Sequence, residues 1–382
     1  MFYEFLYKNG FRAVKAVKKH YFGRMLESFN KDLLKTMDDG SWSREDRDRQ
    51  YAEKVLPYWK KFGYRPEEFW FELNCSREHR MDSRFIPSDL YYNELLPYIN
   101  NLPFRFALQD KCSLDLRFSG VRQAETVCRR MAGVFYGPDM EQIDSGEAVH
   151  LCLARESDLF IKPSVYTSAG VGIQMFPPWE CTEDDVMELF ADTGKNFIVQ
   201  EKIRQHPEMA KLNKDSVSTI RVMSLFIDGE VYISNIMIRV CPPGSTHVAV
   251  DGGYSVAVEE DGHLYPRAYR DKGTWVCGAE EGLYDDSVVV PGLEKIRETV
   301  KRLHPLVPYF KWIGWDFSVD EEGEPVMIEF NNAPGDDIQR VCGNPLFGEM
   351  TDRVLEDYFH IRSMENDQFA GMWCGTEQIR RY

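Results

Sequence analysis

At 382 residues, 43% apolar and 13% aromatic, the chain has the composition of a globular protein with room for two or three cores. Its longest apolar runs fall far short of the ~20 residues that span a bilayer, which excludes an integral membrane segment. The nine cysteines lack CxxC pairs or regular spacing, and with no apolar leader they point to reduced thiols in a cytoplasmic protein. A formal net charge of −16 disfavours nucleic acid as a partner, because a repulsive field would meet its phosphates.

That charge is uneven. Residues 1–36 hold eight Lys or Arg against three Asp or Glu, a net of +5 that leaves −21 for the rest. Phe11, Val14, Val17, Tyr21 and Met25 recur at helical spacing, with Lys15, Lys18, Lys19 and Arg24 between them. Such a helix either packs on the protein's own body or makes a peripheral contact with an anionic membrane surface or a partner. The stretches SREDRDRQYAEKVLPYWKKFG, RPEEFWFEL and PSDLYYNELLPYI, separated by Pro, Gly and Asn, carry the helical character to about residue 105.

From 106 to 200 helix and strand alternate around two lysines. Lys111, in FALQDKCSLDLRF, falls where a helix begins, with Asp110 or Gln109 at the cap. Lys162 ends the strand-like DLFIK and opens KPSVYTSAGVGI. Gly170 and Gly172 there permit backbone angles that turn successive N–H groups toward an anion, and the hydroxyls of Thr167 and Ser168 add donors. A hairpin turn looks the same; the lysine at the strand end favours phosphate. In FIVQEKIRQHPE, a strand over Phe197 to Gln200 runs on into Glu201, Lys202 and Ile203. Open backbone at that point suits the edge of an adenine ring.

Strands dominate from 201 to about 340. Hairpins are expected in STIRVMSLFIDGEVYISNIMIRV and YSVAVEEDGHLYP, turning at Asp228-Gly229 and Asp261-Gly262. LEKIRETVKRLHPLV reads as a helix, as does LEDYFHIR near the end. Between those helices, WIGWDFSVD and VMIEFNNAPG form a further strand pair around the turn residues EEGEP. Asp316 and Glu329 place a carboxylate in each strand, and with Asn331 they make an all-oxygen set suited to Mg²⁺. Strand-end carboxylates facing water would look alike. The eight histidines are scattered, His206 alone lying in a motif, and no triad or reactive-cysteine context suggests a covalent enzyme intermediate.

Taken in order, Lys111, Lys162 with its glycine loop, Gln200 to Ile203, Arg221, Arg239, Asp316, Glu329 and Asn331 resemble the ATP-grasp superfamily. The strings GYRPEEFWFELN, QHPEMAKLNKDSVSTIRV, DGGYSVAV and IGWDFSV…IEFNNAPG resemble more narrowly its sugar-transfer-associated group. The resemblance implies an α+β protein: an ATP-grasp fold of two α/β lobes with nucleotide between them, preceded by a mainly helical region. The divisions would be 1–105, a smaller lobe over 106–200 and a larger lobe over 201–382.

The same resemblance assigns Lys111 and Lys162 to the α and β phosphates of ATP, under a closing loop that includes Ser168, Gly170 and Gly172. Glu201, Lys202 and Ile203 would meet adenine, and Glu208, seven places past Glu201, the ribose. Asp316, Glu329 and Asn331 would hold Mg²⁺, while Arg221 and Arg239 face the transferred phosphoryl group or its acceptor. Arg239, Asp251, Gly252, Gly253 and Tyr254 are implied in the acceptor pocket. Two residues depart from the pattern: Ala169 precedes Gly170 where a Gly-Gly pair is common, and Ser218 stands where the group tends to have asparagine.

The implied activity is an ATP- and Mg²⁺-dependent carboxylate-amine ligase working through an acyl phosphate. Its substrates would be a small-molecule carboxylate and an amine, in the setting of surface polysaccharide biosynthesis. A phosphotransferase acting on a hydroxyl, or a nucleotide-binding protein without turnover, stays open. These motifs carry no information on oligomeric state.

Overall fold

The computed structural model describes residues 21, 23–38, 40–165, 170–242, 244–245, 252–270, 273–285 and 287–367. Most of the basic segment, with Phe11 to Lys19, lies outside them, as do Thr167, Ser168, Asp251 and the tail beyond 367. Among the described residues fourteen strands form two sheets. Those of the first half are β1 (Arg122–Gln123), β2 (Thr126–Met131), β3 (Val134–Tyr136), β4 (Gln142–Ile143), β5 (Leu159–Pro163), β6 (Gln174–Phe176) and β7 (Phe197–Glu201). The second half supplies β8 (Thr219–Ile227), β9 (Glu230–Val240), β10 (Tyr254–Ala257), β11 (Arg267–Arg270), β12 (Thr274–Cys277), β13 (Trp312–Val319) and β14 (Pro325–Asn331).

The smaller lobe is a six-stranded antiparallel sheet in the order β4-β3-β2-β7-β5-β6. Helices Ser145–Leu153 and Glu183–Thr193 bury Val149, Cys152, Val186 and Phe190 with its Ile161, Phe197 and Val199. The second of these helices starts on a capping box between Thr182 and Asp185, which satisfies backbone donors that the first turn leaves open.

The larger lobe is an eight-stranded sheet in the order β1-β14-β13-β8-β9-β10-β11-β12. Only β1 runs parallel to its neighbour, so residues 122–123, within the stretch read as the smaller lobe, pair with the larger sheet. Period-two alternation divides its strands between two cores. Ile220, Val222, Trp315 and Phe317 face helix Leu293–Leu303, while Met223, Leu225, Met237 and Trp312 face the N-terminal helices and helix Thr351–Asp367. The hairpin turn at Asp228-Gly229 closes β8 on β9 with Ile227 opposite Glu230, and a turn over Asp320 to Glu324 joins β13 to β14.

Alternation also sets the floor of the site. Trp312, Gly314 and Asp316 share one face of β13, and Met223 and Arg221 share the matching face of β8. The apolar ends of that face lie under the helices; its polar end emerges from them. Asn100 fixes the boundary. Its buried side chain donates to the carbonyls of Trp312 (2.6 Å) and Asn332 (2.7 Å) and accepts from the Trp312 N–H (2.9 Å). No helix of the described residues is long and apolar enough to cross a membrane.

Candidate active site

A cleft of about 460 Å³ separates the two sheets, with walls from both. On the smaller-lobe side, Asp110 caps a 3₁₀ turn by accepting from the Cys112 N–H, and the Lys111 N–H donates to the Ser164 carbonyl at the exit of β5 (3.1 Å). That stitch holds Lys111 beside Lys162. The Lys162 ammonium donates to Gln200 Oε1 on the neighbouring β7 (3.2 Å). Burial lowers its pKa to about 8, with Glu329 opposing the shift and Lys111 adding to it. A cation held at that cost suits a site that receives negative charge.

Lys111 reaches across the cleft. Its Nζ lies 3.6 Å from the Glu329 carboxylate on β14. Glu329 stands opposite Asp316 on β13, and Asp316 opposite Arg221 on β8, so adjacent rungs line up the three side chains. Arg221 makes a bidentate pair with Asp316, both contacts 2.5 Å, and Asn331 Nδ2 donates to the same carboxylate (3.1 Å). Burial works against the Arg221 charge, but the facing Asp316 outweighs it and holds the guanidinium above its ordinary range. Arg239, on β9, pairs with Asp337 at 3.3 Å.

The residues expected to face a nucleotide divide. Gly170, Val171 and Ile173 line the cleft from the glycine loop, and Gly170 and Gly172 adopt φ of 73° and 78°, where a side chain would strain the turn. Gly172 itself packs against Pro163, behind the lining residues, and Ser168 lies outside the described residues. Gln200, Glu201 and Ile203 also line the cleft. Lys202 does not: its ammonium pairs with Asp158 (3.1 Å) while its N–H donates to the Asp158 carbonyl (2.9 Å). Glu208 is likewise turned away, since it sits on the short helix Pro207–Ala210 and pairs with Lys211 (2.7 Å). His206 caps that helix, its Nδ1 accepting from the Glu208 N–H. Ser218 is buried outside the lining, its N–H donating to Gln205 Oε1 (3.1 Å).

Gln200 is read from the sequence as part of the run into Glu201, but its cross-strand contact to Lys162 is not. Asp337 escapes reading altogether, since it acts through its pair with Arg239, 98 positions away. The only local signal for Asp337 is its place in NNAPGDD after a metal-type strand.

Hard oxygen donors converge where a divalent cation would sit. Among the described residues no group of three or more His, Cys, Asp or Glu forms a cage; Mg²⁺ in nucleotide sites is commonly held through one or two carboxylates and substrate phosphates. Glu329 and Asn331, with Asp316 behind them, fit that pattern. Asp316 meets such an ion only by loosening its grip on Arg221.

No curated protein matches the chain. Solved structures that the chain is similar to include D-cycloserine synthetase (16% identity, TM-score 0.37, 67% of this chain and 73% of that one). The D-Ala:D-Ser ligase of Enterococcus faecalis is 16% identical with TM-score 0.40 over 66% of this chain and 62% of its own. The D-alanine-D-alanine ligase of Coxiella burnetii is 12% identical with TM-score 0.42 over 70% and 62%. The chain thus spans less than two thirds of the length of both of those ligases. A model described as sugar-transfer associated ATP-grasp matches residues 135–354, more than half of the sequence. The chain belongs to the sugar-transfer-associated ATP-grasp family.

Proposed function

We propose that the protein is an ATP- and Mg²⁺-dependent ligase that activates a small-molecule carboxylate as an acyl phosphate and joins it to an amine. The observation that carries this reading is the meeting of Lys111 and Lys162 with Glu329 across one cleft, the first contact being 3.6 Å. Two ammonium groups hold the phosphates from one side. Glu329, Asn331 and Asp316 would hold Mg²⁺ from the other, which would supply charge neutralisation for phosphoryl transfer. A carboxylate oxygen of the acceptor attacks the γ phosphorus, the bond to the β–γ bridging oxygen breaks, and ADP leaves. The amine then attacks the acyl carbon, inorganic phosphate departs with the bonding pair, and the amine proton passes to solvent.

Arg221 and Arg239 project from one face of adjacent strands into this cleft. A guanidinium matches carboxylate geometry, so Arg239 supports a carboxylate acceptor rather than an alcohol, while Arg221 is committed to Asp316. The family's association with sugar transfer supports a uronic acid or another carboxylated glycan precursor as that acceptor. Incubating the protein with ATP, Mg²⁺, a panel of uronates and hydroxylamine tests the reading. A hydroxamate formed in step with ADP is expected. A stable phosphoester instead identifies a kinase, and nucleotide binding without ADP release identifies an inert binder.

A further inference from the structure

The helix that opens the described residues has two apolar faces, and only one of them is covered. It takes in Tyr21 and residues 23–37. Leu26, Leu33, Leu34 and Met37 pack against the core that the N-terminal region shares with the larger sheet. The Tyr269 hydroxyl, on the cleft wall, lies 3.9 Å from Met37 Sδ, so this face is anchored on the body beside the cleft. Four-residue steps put Tyr21, Met25 and Phe29 in one stripe on the outer side, where they are 73%, 51% and 67% exposed. Single apolar residues on a surface are ordinary; three in register on one helix mark a contact.

Charge says what kind of contact. Residues 8–24 contain six Lys or Arg and no Asp or Glu, against a net of −21 for the chain beyond residue 36. Lys31 and Lys35 are engaged with Glu27 and Asp32 on the same helix, so the surplus of the segment lies at its start. In sequence the stripe's spacing also runs back through Val17, Val14 and Phe11, with Lys15, Lys18 and Lys19 set between them. An anionic surface attracts this segment and repels the acidic body behind it, which orients the molecule helix first.

Two kinds of surface could meet those charges. The described stripe exposes roughly 400 Å² of Tyr, Met and Phe, about half of the ~800 Å² that one partner gives to a stable protein interface. A bilayer demands no matching shape. Apolar side chains enter the boundary between headgroups and acyl chains, while Lys and Arg beside them stay at the phosphates.

We propose that this helix is a peripheral membrane anchor, in which Tyr21, Met25 and Phe29 enter the interface of a bilayer containing anionic lipid and the basic residues of 8–24 bind its headgroups. The helix lies flat on the membrane because its inner face stays on the body. The inference is independent of the ligase reading, since anchoring needs neither nucleotide nor turnover.

Co-sedimentation of the full chain with vesicles of phosphatidylcholine and phosphatidylglycerol in equal parts, and of phosphatidylcholine alone, tests it. Binding to the mixed vesicles at least about tenfold tighter than to phosphatidylcholine, and weaker as salt rises, is expected. The triple variant Tyr21→Ser, Met25→Ser, Phe29→Ser should lower that affinity by at least about tenfold and keep the wild-type melting temperature. Lys15→Gln with Lys18→Gln and Lys19→Gln should lower it at low salt and flatten the salt dependence. The proposal is overturned if wild type ignores the mixed vesicles, if it binds both kinds equally, if the triple variant binds undiminished, or if that variant melts well below wild type. A chain that stays in the supernatant but dimerises through the stripe, shown by dissociation in the triple variant, would assign the face to a second copy instead.

Discussion

Lys162 is the residue whose environment makes the sharpest demand. Its ammonium loses its proton near pH 8 in the free protein, because burial favours the neutral amine. A bound triphosphate favours the ammonium, so nucleotide binding should take up a proton as pH passes about 8, and apparent affinity should fall toward pH 10. Titrations in two buffers of different ionisation enthalpy near pH 8.5 check this; binding heats independent of buffer would contradict it. Folding has the opposite sign. The unfolded lysine stays protonated up to about its ordinary 10.5, so stability should rise with pH between 8 and that value, the burial penalty being complete below 8. Lys162→Ala should weaken ATP binding by about tenfold to hundredfold. Glu329→Gln should lower turnover by at least about a hundredfold with an unchanged melting temperature, and an unchanged rate would remove Glu329 from the site. Lys111, Lys162, Asp316, Glu329 and Asn331 stand out in the sequence because each puts charge or amide at the edge of an apolar run. Asp337 does not, since what sets it apart is its pair with Arg239 on a distant strand.

At the scale of elements, the site depends on how β13 and β14 are clamped beneath the N-terminal helices. Asn100→Ala would strip partners from the Trp312 N–H and from the Trp312 and Asn332 carbonyls in a dry interior. A loss of about 2–4 kcal/mol is expected, read as a lower urea midpoint at constant slope; an unchanged midpoint would contradict the clamp. Gly253 faces a different limit. A Cβ there would lie 2.4 Å from the Val240 carbonyl oxygen, so Gly253→Ala should force β9 from β10 and distort the wall that carries Arg239. Strands, hairpin turns and the helix at 293–303 are legible from short-range periodicity and turn residues. The order of strands is not, because β1 joins β14 across 204 positions and nothing in the two residues Arg122-Gln123 specifies which sheet they enter.

For the whole molecule, the helical N-terminal region is part of the larger lobe's packing. Trp59, Trp70 and Tyr91 share a core with Met237, Trp312, Phe347 and Leu355. Removing residues 1–105 should therefore abolish cooperative unfolding, seen as loss of near-ultraviolet dichroism; retention of a sharp transition would mean the sheet closes its core without these helices. That dependence is invisible to a reading of helices along the chain, since amphipathic segments do not state which sheet face they cover. The proposed reaction requires a triphosphate lying between the two lobes. A crystal structure with Mg²⁺ and a non-hydrolysable ATP analogue tests it most directly. Phosphate oxygens within hydrogen-bond distance of Lys111 and Lys162, and the ion on Glu329 and Asn331, are predicted. Nucleotide bound elsewhere, or in this cleft with both lysines turned from the phosphates, would contradict it.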